Sequence, residues 1–191
     1  MKNWFRRRGV EHDLAHDLYL SAVAQARQPV FYAEHGVPDS VDGRFDLIVM
    51  HVYFLLQPLN KVAGGDKTDA AAIRAGEIAQ ALFDTLFADM DRSLREMGVS
   101  DISVGKRVKH MAKSFYGRVA AYDAGLEASQ EELREALERN LFGTVSPLPA
   151  HLDAMADYLR CQTAHMAAIG EDDALAGRIL FAPWPGKDVD Q

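Results

Sequence analysis

Apolar residues recur at helical spacing through most of this chain, and two adjacent stretches carry the pattern most regularly. Phe83, Phe87, Met90, Leu94 and Met97 form one stripe. Gly98 follows, where a helix end calls for the left-handed backbone that other residues resist. Val104, Val108, Met111, Phe115 and either Val119 or Tyr122 form the second stripe, on a helix expected to be capped by Ser103 and to run to Tyr122. Two such helices joined by a short turn pack most simply as an antiparallel pair.

The same spacing predicts the other elements. A helix is expected over 12–27, stopped by Pro29, followed by a turn-rich connection over 30–44 in which Phe31 and Tyr32 anchor the loop to the core. A helix over 45–59, with Asp42 as its cap, is apolar nearly all round and is expected to be the central one, or to offer one face for binding. The first stripe belongs to a long helix over 70–97, which Gly76 could delay or bend. Ser129 and Glu132 form a capping box that opens a charged helix to Asn140. A last helix spans 151–169, with Leu152, Met155, Leu159 and Met166 inward. Phe181, Pro183, Trp184 and Pro185 then form a strap that either packs on the surface or extends freely. No alternating strand pattern interrupts these elements. The expected class is all-α, a single-domain bundle of six to seven helices over 12–180, with a basic N-terminal tail (1–11) and a C-terminal tail (181–191).

Charge is sorted unevenly over this frame. The whole chain carries a formal charge of −7, which argues against general nucleic-acid binding and leaves DNA out as a partner. Between Asp101 and Asp123, however, no acid occurs, while Lys106, Lys109 and Lys113 share one helical strip and Arg107, His110, Ser114 and Arg118 the next. Such a face either is solvated and paired to acids of neighbouring helices or docks something anionic. Arg6, Arg7 and Arg8 beside Trp4 and Phe5 leave two readings open, contact with an anionic membrane surface or a solubilising tail. No apolar segment follows these arginines, so the start does not read as a signal peptide.

Candidate chemistry is sparse. His12 and His16 sit four apart as in a zinc helix, but the intervening acid is Asp and a third ligand is not apparent. His51, inside the apolar helix, reads as a hydrogen-bonded core or interface histidine. Cys161, the single cysteine, lacks an activating neighbour other than Arg160 and reads as structural. No nucleophile motif and no phosphate loop are present, so neither an enzyme nor a cofactor is expected.

Four segments, taken in order, carry a family resemblance. They are residues 25–32 (QARQPVFY), 36–46 (GVPDSVDGRFD), 89–99 (DMDRSLREMGV) and 109–118 (KHMAKSFYGR), with Tyr122 and Arg139-Asn140 beyond them. Together they resemble the ubiquinol–cytochrome c chaperone family over roughly residues 20–170. The resemblance implies an all-helical assembly factor of the cytochrome bc1 complex that binds newly made cytochrome b. It further implies a bacterial form, peripheral at the cytoplasmic face of the inner membrane, with the ribosome, an anionic membrane surface and a small partner protein as further candidate contacts. Partner binding is expected where the motif segments cluster: Arg27, Phe31, Tyr32, Arg44, His51, Asp91, Arg95, Met111, Tyr116, Arg118 and Tyr122. Contact with an anionic surface is expected at Arg6, Arg7, Arg8, Lys106, Lys109 and Lys113. The competing class is a small-molecule-binding or regulatory helical domain with a pocket around helix 45–59.

Overall fold

The computed structural model describes the backbone over residues 2–185 and side chains from residue 9 onward. The chain forms six long helices, α1 (Lys2–Ala26), α3 (Val41–Ala63), α4 (Ala70–Glu96), α5 (Asp101–Glu127), α6 (Gln130–Asn140) and α7 (Pro149–Ala167). Two five-residue segments join them, α2 (Pro29–Ala33) and α8 (Glu171–Leu175). No strand occurs among the described residues.

Helix α3 is the hub, as its all-round apolarity predicted. Phe54, Leu55 and Leu59 are fully buried, and so are Leu47 and Met50 on other sides of the helix. Each such side chain contributes about 1.5–3 kcal/mol by leaving water. Helices α1, α4 and α7 and the short α8 enclose α3, whereas α5 touches it only lightly. The helix continues through Pro58, which has no N–H to offer the preceding turn.

The antiparallel α4–α5 pair forms as expected. Phe83 and Phe87, 4.6 Å apart on α4, meet Phe115 of α5 with ring centroids at 5.4 and 6.3 Å. Gly98 takes φ +82°, and two backbone bonds close the end of α4: Val99 N–H donates to Leu94 O (3.0 Å) and Gly98 N–H to Arg95 O (2.9 Å).

Several boundaries fall elsewhere than predicted. Helix α1 begins at Lys2 rather than His12. The turn-rich connection contains α2, because Pro29 both stops α1 and serves as the first residue of a new helical turn. Ser40, not Asp42, caps α3 by accepting from Gly43 N–H at 3.1 Å. Helix α5 starts at Asp101 after Ser100, so Ser103 lies inside it. Gly76 does not delay α4, whose first turn is capped by Asp69 accepting from Ala72 N–H at 3.3 Å. Ser129 caps α6 as expected, its Oγ accepting from Glu132 N–H at 3.2 Å, the first half of the capping box.

Candidate interaction surface

The residues singled out from the sequence fall into three groups. The first surrounds α2. Phe31 is fully buried, edge-on to His51 (5.3 Å), Tyr158 (5.2 Å) and Trp184 (5.3 Å). Gly36, at φ +67°, turns the loop back so tightly that a Cβ there would meet His151. Tyr32 is half-buried and donates its hydroxyl to Ala26 O (2.7 Å), while Arg44 lies over its ring at 5.9 Å. Arg27 and Arg44 are exposed, and Arg44 pairs with Asp39 at 2.6 Å, holding that carboxyl below the usual range. The strap packs rather than extends: Trp184 is sandwiched between His35 (4.1 Å) and Tyr158 (4.6 Å), and buried Gln162 exchanges two bonds with the Ala182 backbone.

His51 is fully buried, as a hydrogen-bonded core histidine. Its Nδ1–H donates to Leu47 O at 2.7 Å, since a carbonyl can only accept. Nε2 therefore accepts from the Tyr158 hydroxyl at 2.8 Å, which in turn accepts from Gln25 Nε2 at 3.3 Å. Burial lowers the imidazole to about 4, so the ring is neutral across the physiological range. Phe31, His51 and Tyr122 are fully buried, so they lie beneath the surface rather than on it.

The second group joins α3, α5 and α6. Asp46 and Arg118, 13% and 18% exposed, lie 2.6 Å apart, and Arg118 also donates to Asn140 O at 3.3 Å and covers the Phe45 ring at 5.9 Å. Asp46 Oδ1 nevertheless has no aligned hydrogen bond among the described residues. Burial, opposed by Arg118 and reinforced by Asp42, pushes the Asp46 carboxyl up to about 7. Tyr122 is fully buried beside this pair, and its hydroxyl has no hydrogen-bond partner among the described residues. Tyr53, within 6.0 Å of the Tyr122 ring, donates to Asp123 at 2.5 Å and so spans the α3–α5 gap a second time.

The third group lies on the α4–α5 pair. At its turn, Arg95 bridges Asp91 (2.5 Å) and Asp101. Farther along, α3, α4 and α5 enclose an open groove of about 620 Å³ lined by Tyr53, Leu56, Gln80, Phe83, Tyr116 and Val119, among others. Tyr116 is 62% exposed at its edge and Met111 is half-buried. Lys106, Lys109 and Lys113, one helical strip leading to Tyr116, are exposed and form no ion pair among the described residues. The lysine strip is thus solvated and unpaired among the described residues, whereas on the strip beside it Arg118 pairs with Asp46 of α3, as one reading expected. The side chains of Arg6, Arg7 and Arg8 lie outside the described residues.

Sequence reasoning missed Asp46 as a site residue, although a carboxylate in the most apolar stretch of the chain was the available signal. It also missed Phe83, named only as a stripe position, and Gln80, which it did not single out. His12 and His16 are both exposed, and no group of three metal-ligating side chains occurs among the described residues. No helix among those residues is long and apolar enough to cross a membrane.

Comparison with known proteins places this architecture. The profile of the ubiquinol-cytochrome C chaperone family matches residues 33–181. Ubiquinol-cytochrome-c reductase complex assembly factor 1 of Xenopus laevis is 23% identical over 90% of this chain and 82% of its own length. The Homo sapiens protein of that name is 24% identical over 87% of this chain, but the match spans only 53% of the human protein. A crystal structure of the Cbp3 homolog from Brucella abortus superimposes with a TM-score of 0.80 at 32% identity, covering 97% of this chain and 98% of the other. The named relatives are assembly factors rather than enzymes. A profile match running from α2 to the strap, on a fold shared end to end with that homolog, makes this chain a member of the ubiquinol-cytochrome C chaperone family.

Proposed function

We propose that this chain is an assembly chaperone of the cytochrome bc1 complex, which holds newly made cytochrome b at the cytoplasmic face of the inner membrane. The observation that carries the reading is the open groove between α3, α4 and α5, with exposed Tyr116 at its edge and an unpaired lysine strip leading into it. Aromatic side chains and Arg dominate interface energy, and the groove floor offers Tyr53, Phe83 and Phe115. An apolar groove held open by ionic and hydrogen-bonded struts can receive an apolar segment without any catalytic step. The adjoining lysines suit phosphate-bearing surfaces, whether lipid headgroups or ribosomal RNA, each Lys being worth roughly 1 kcal/mol near an anionic membrane. Phe31, His51 and Tyr122 set the shape of the α2 loop and of α5, leaving Arg27, Arg44, Met111 and Tyr116 to make contact.

Affinity capture of the tagged chain from native membranes, followed by identification of what co-purifies, tests this reading. Cytochrome b is expected with the unaltered chain and in strongly reduced amount with Tyr116→Ala. Replacing Lys106, Lys109 and Lys113 by Glu is expected to detach the chain from membranes or ribosomes. Capture that brings down no component of the bc1 complex contradicts the client assignment, and unchanged association of the triple variant contradicts the role of the basic strip.

A further inference from the structure

Beside the groove of α3, α4 and α5, with Gly76 and Gln80 lining both, lies a second cleft of about 620 Å³ between α4 and α1. Its lining includes Glu11 and His12 from α1 and Ile73, Glu77, Gln80 and Asp84 from α4. The α4 residues are three or four apart and so form one strip along the cleft. Glu77 and Asp84 are exposed, and the Gln80 amide donates to Asp84 at 2.8 Å, holding that carboxylate along the helix.

Glu11 differs from these acids because it is 4% exposed. One of its oxygens accepts from Arg74 Nε at 3.2 Å. The other, Oε2, is buried and has no hydrogen-bond partner among the described residues. A carboxylate kept in this state lacks a donor for half of its acceptor capacity. We infer that the α1–α4 cleft receives an arginine or lysine side chain of a basic polypeptide segment, with Glu11 as its buried anchor and Glu77 and Asp84 as its rim.

Three features favour a cationic side chain over a metal ion. No group of three ligating side chains occurs among the described residues. Ile73, 49% exposed in the cleft, offers apolar surface to the aliphatic stem of Lys or Arg, which a bare cation would not use. Arg74, itself one-third exposed, already demonstrates a guanidinium at the same carboxylate. The chain's formal charge of −7 adds a long-range attraction for basic segments. This site does not depend on the bc1 assignment, since it specifies the chemistry of the segment and not its owner.

The test uses the full chain and a fluorescein-labelled hexa-arginine peptide at about 0.15 M salt, where the Debye length is about 8 Å and diffuse attraction is muted. Saturable anisotropy is expected, absent with a hexaglutamate peptide. Glu11→Gln is expected to weaken binding about tenfold, the equivalent of roughly 1.4 kcal/mol. Glu138→Gln, on exposed α6 away from the cleft, is expected to change it less than about twofold. Should Glu11→Gln impair folding, Glu77→Lys with Asp84→Lys, both at exposed positions, tests the same cleft and is expected to abolish binding. Equal weakening by Glu11→Gln and Glu138→Gln, or unchanged binding in the Glu77→Lys/Asp84→Lys chain, overturns the proposal.

Discussion

Asp46→Asn probes the connection between α3 and α5 through a signature that a merely packed residue would not give. The Asp46 carboxyl rises from an ordinary 3.8 to about 7 because burial outweighs the attraction of Arg118. Between those values the folded chain binds more protons at this site than the unfolded chain does. Stability from Asp46 is therefore greatest at low pH and is lost as pH rises through about 7, with a limiting slope of about 1.4 kcal/mol per pH unit. Integrated between pH 5 and 7, the loss is about 2 kcal/mol. For a chain of this size that corresponds to roughly 4–8 °C in Tm. His51, lowered to about 4, contributes the opposite slope below its ordinary 6.5, but it is present in both proteins and cancels from their difference. The assay is urea unfolding followed by circular dichroism at 222 nm, for wild type and Asp46→Asn, at half-unit steps from pH 5 to 8. The advantage of wild type over the variant should shrink steadily as pH rises. A difference that stays flat, or grows in favour of wild type, would refute the reasoning and mean that Arg118 wins over burial.

Other consequences are more local. Gly98→Ala forces a β-carbon into φ +82° and should cost about 1 kcal/mol, seen as a Tm lower by about 2–4 °C without loss of helix content. Tyr158→Phe removes the hydroxyl that donates to His51 Nε2 and should destabilise by about 1–3 kcal/mol, measured by denaturant midpoint at unchanged m. Trp184→Ala removes the plate between His35 and Tyr158, and should expose the α2 region as faster proteolysis near residues 29–37. Lys106→Glu with Lys109→Glu and Lys113→Glu should leave Tm within about 1 °C, because these side chains are exposed and make no ion pair among the described residues.

What the sequence made legible was mostly periodic. The two stripes on either side of Gly98 determine the α4–α5 pair, and the all-round apolarity of residues 45–59 marks the hub. The basic strip was legible for the same reason, since Lys106, Lys109 and Lys113 keep helical spacing. Caps were legible only where a single candidate stood at the boundary. Ser129 was alone and was right, whereas Ser40 competed with Asp42 and Ser100 with Ser103. Choosing between such neighbours depends on which one adopts extended backbone, and that is set by how the preceding loop packs. The Asp46–Arg118 pair and the sealed Glu11 were not legible as sites, because neither periodicity nor spacing encodes which distant helix lies across from a charged side chain. His51 lay between these cases: its environment suggested a satisfied core histidine, but its donor Tyr158 comes from α7.

The central claim is that this chain serves bc1 assembly by lending a shaped, charge-sorted surface. The most direct measurement is the amount of assembled bc1 complex in membranes of the host strain deleted for the gene, restored or not by the unaltered chain and by Tyr116→Ala. The account predicts a large loss of the complex on deletion, full restoration by the unaltered chain and poor restoration by the variant. A normal amount of assembled complex in the deletion strain would contradict it.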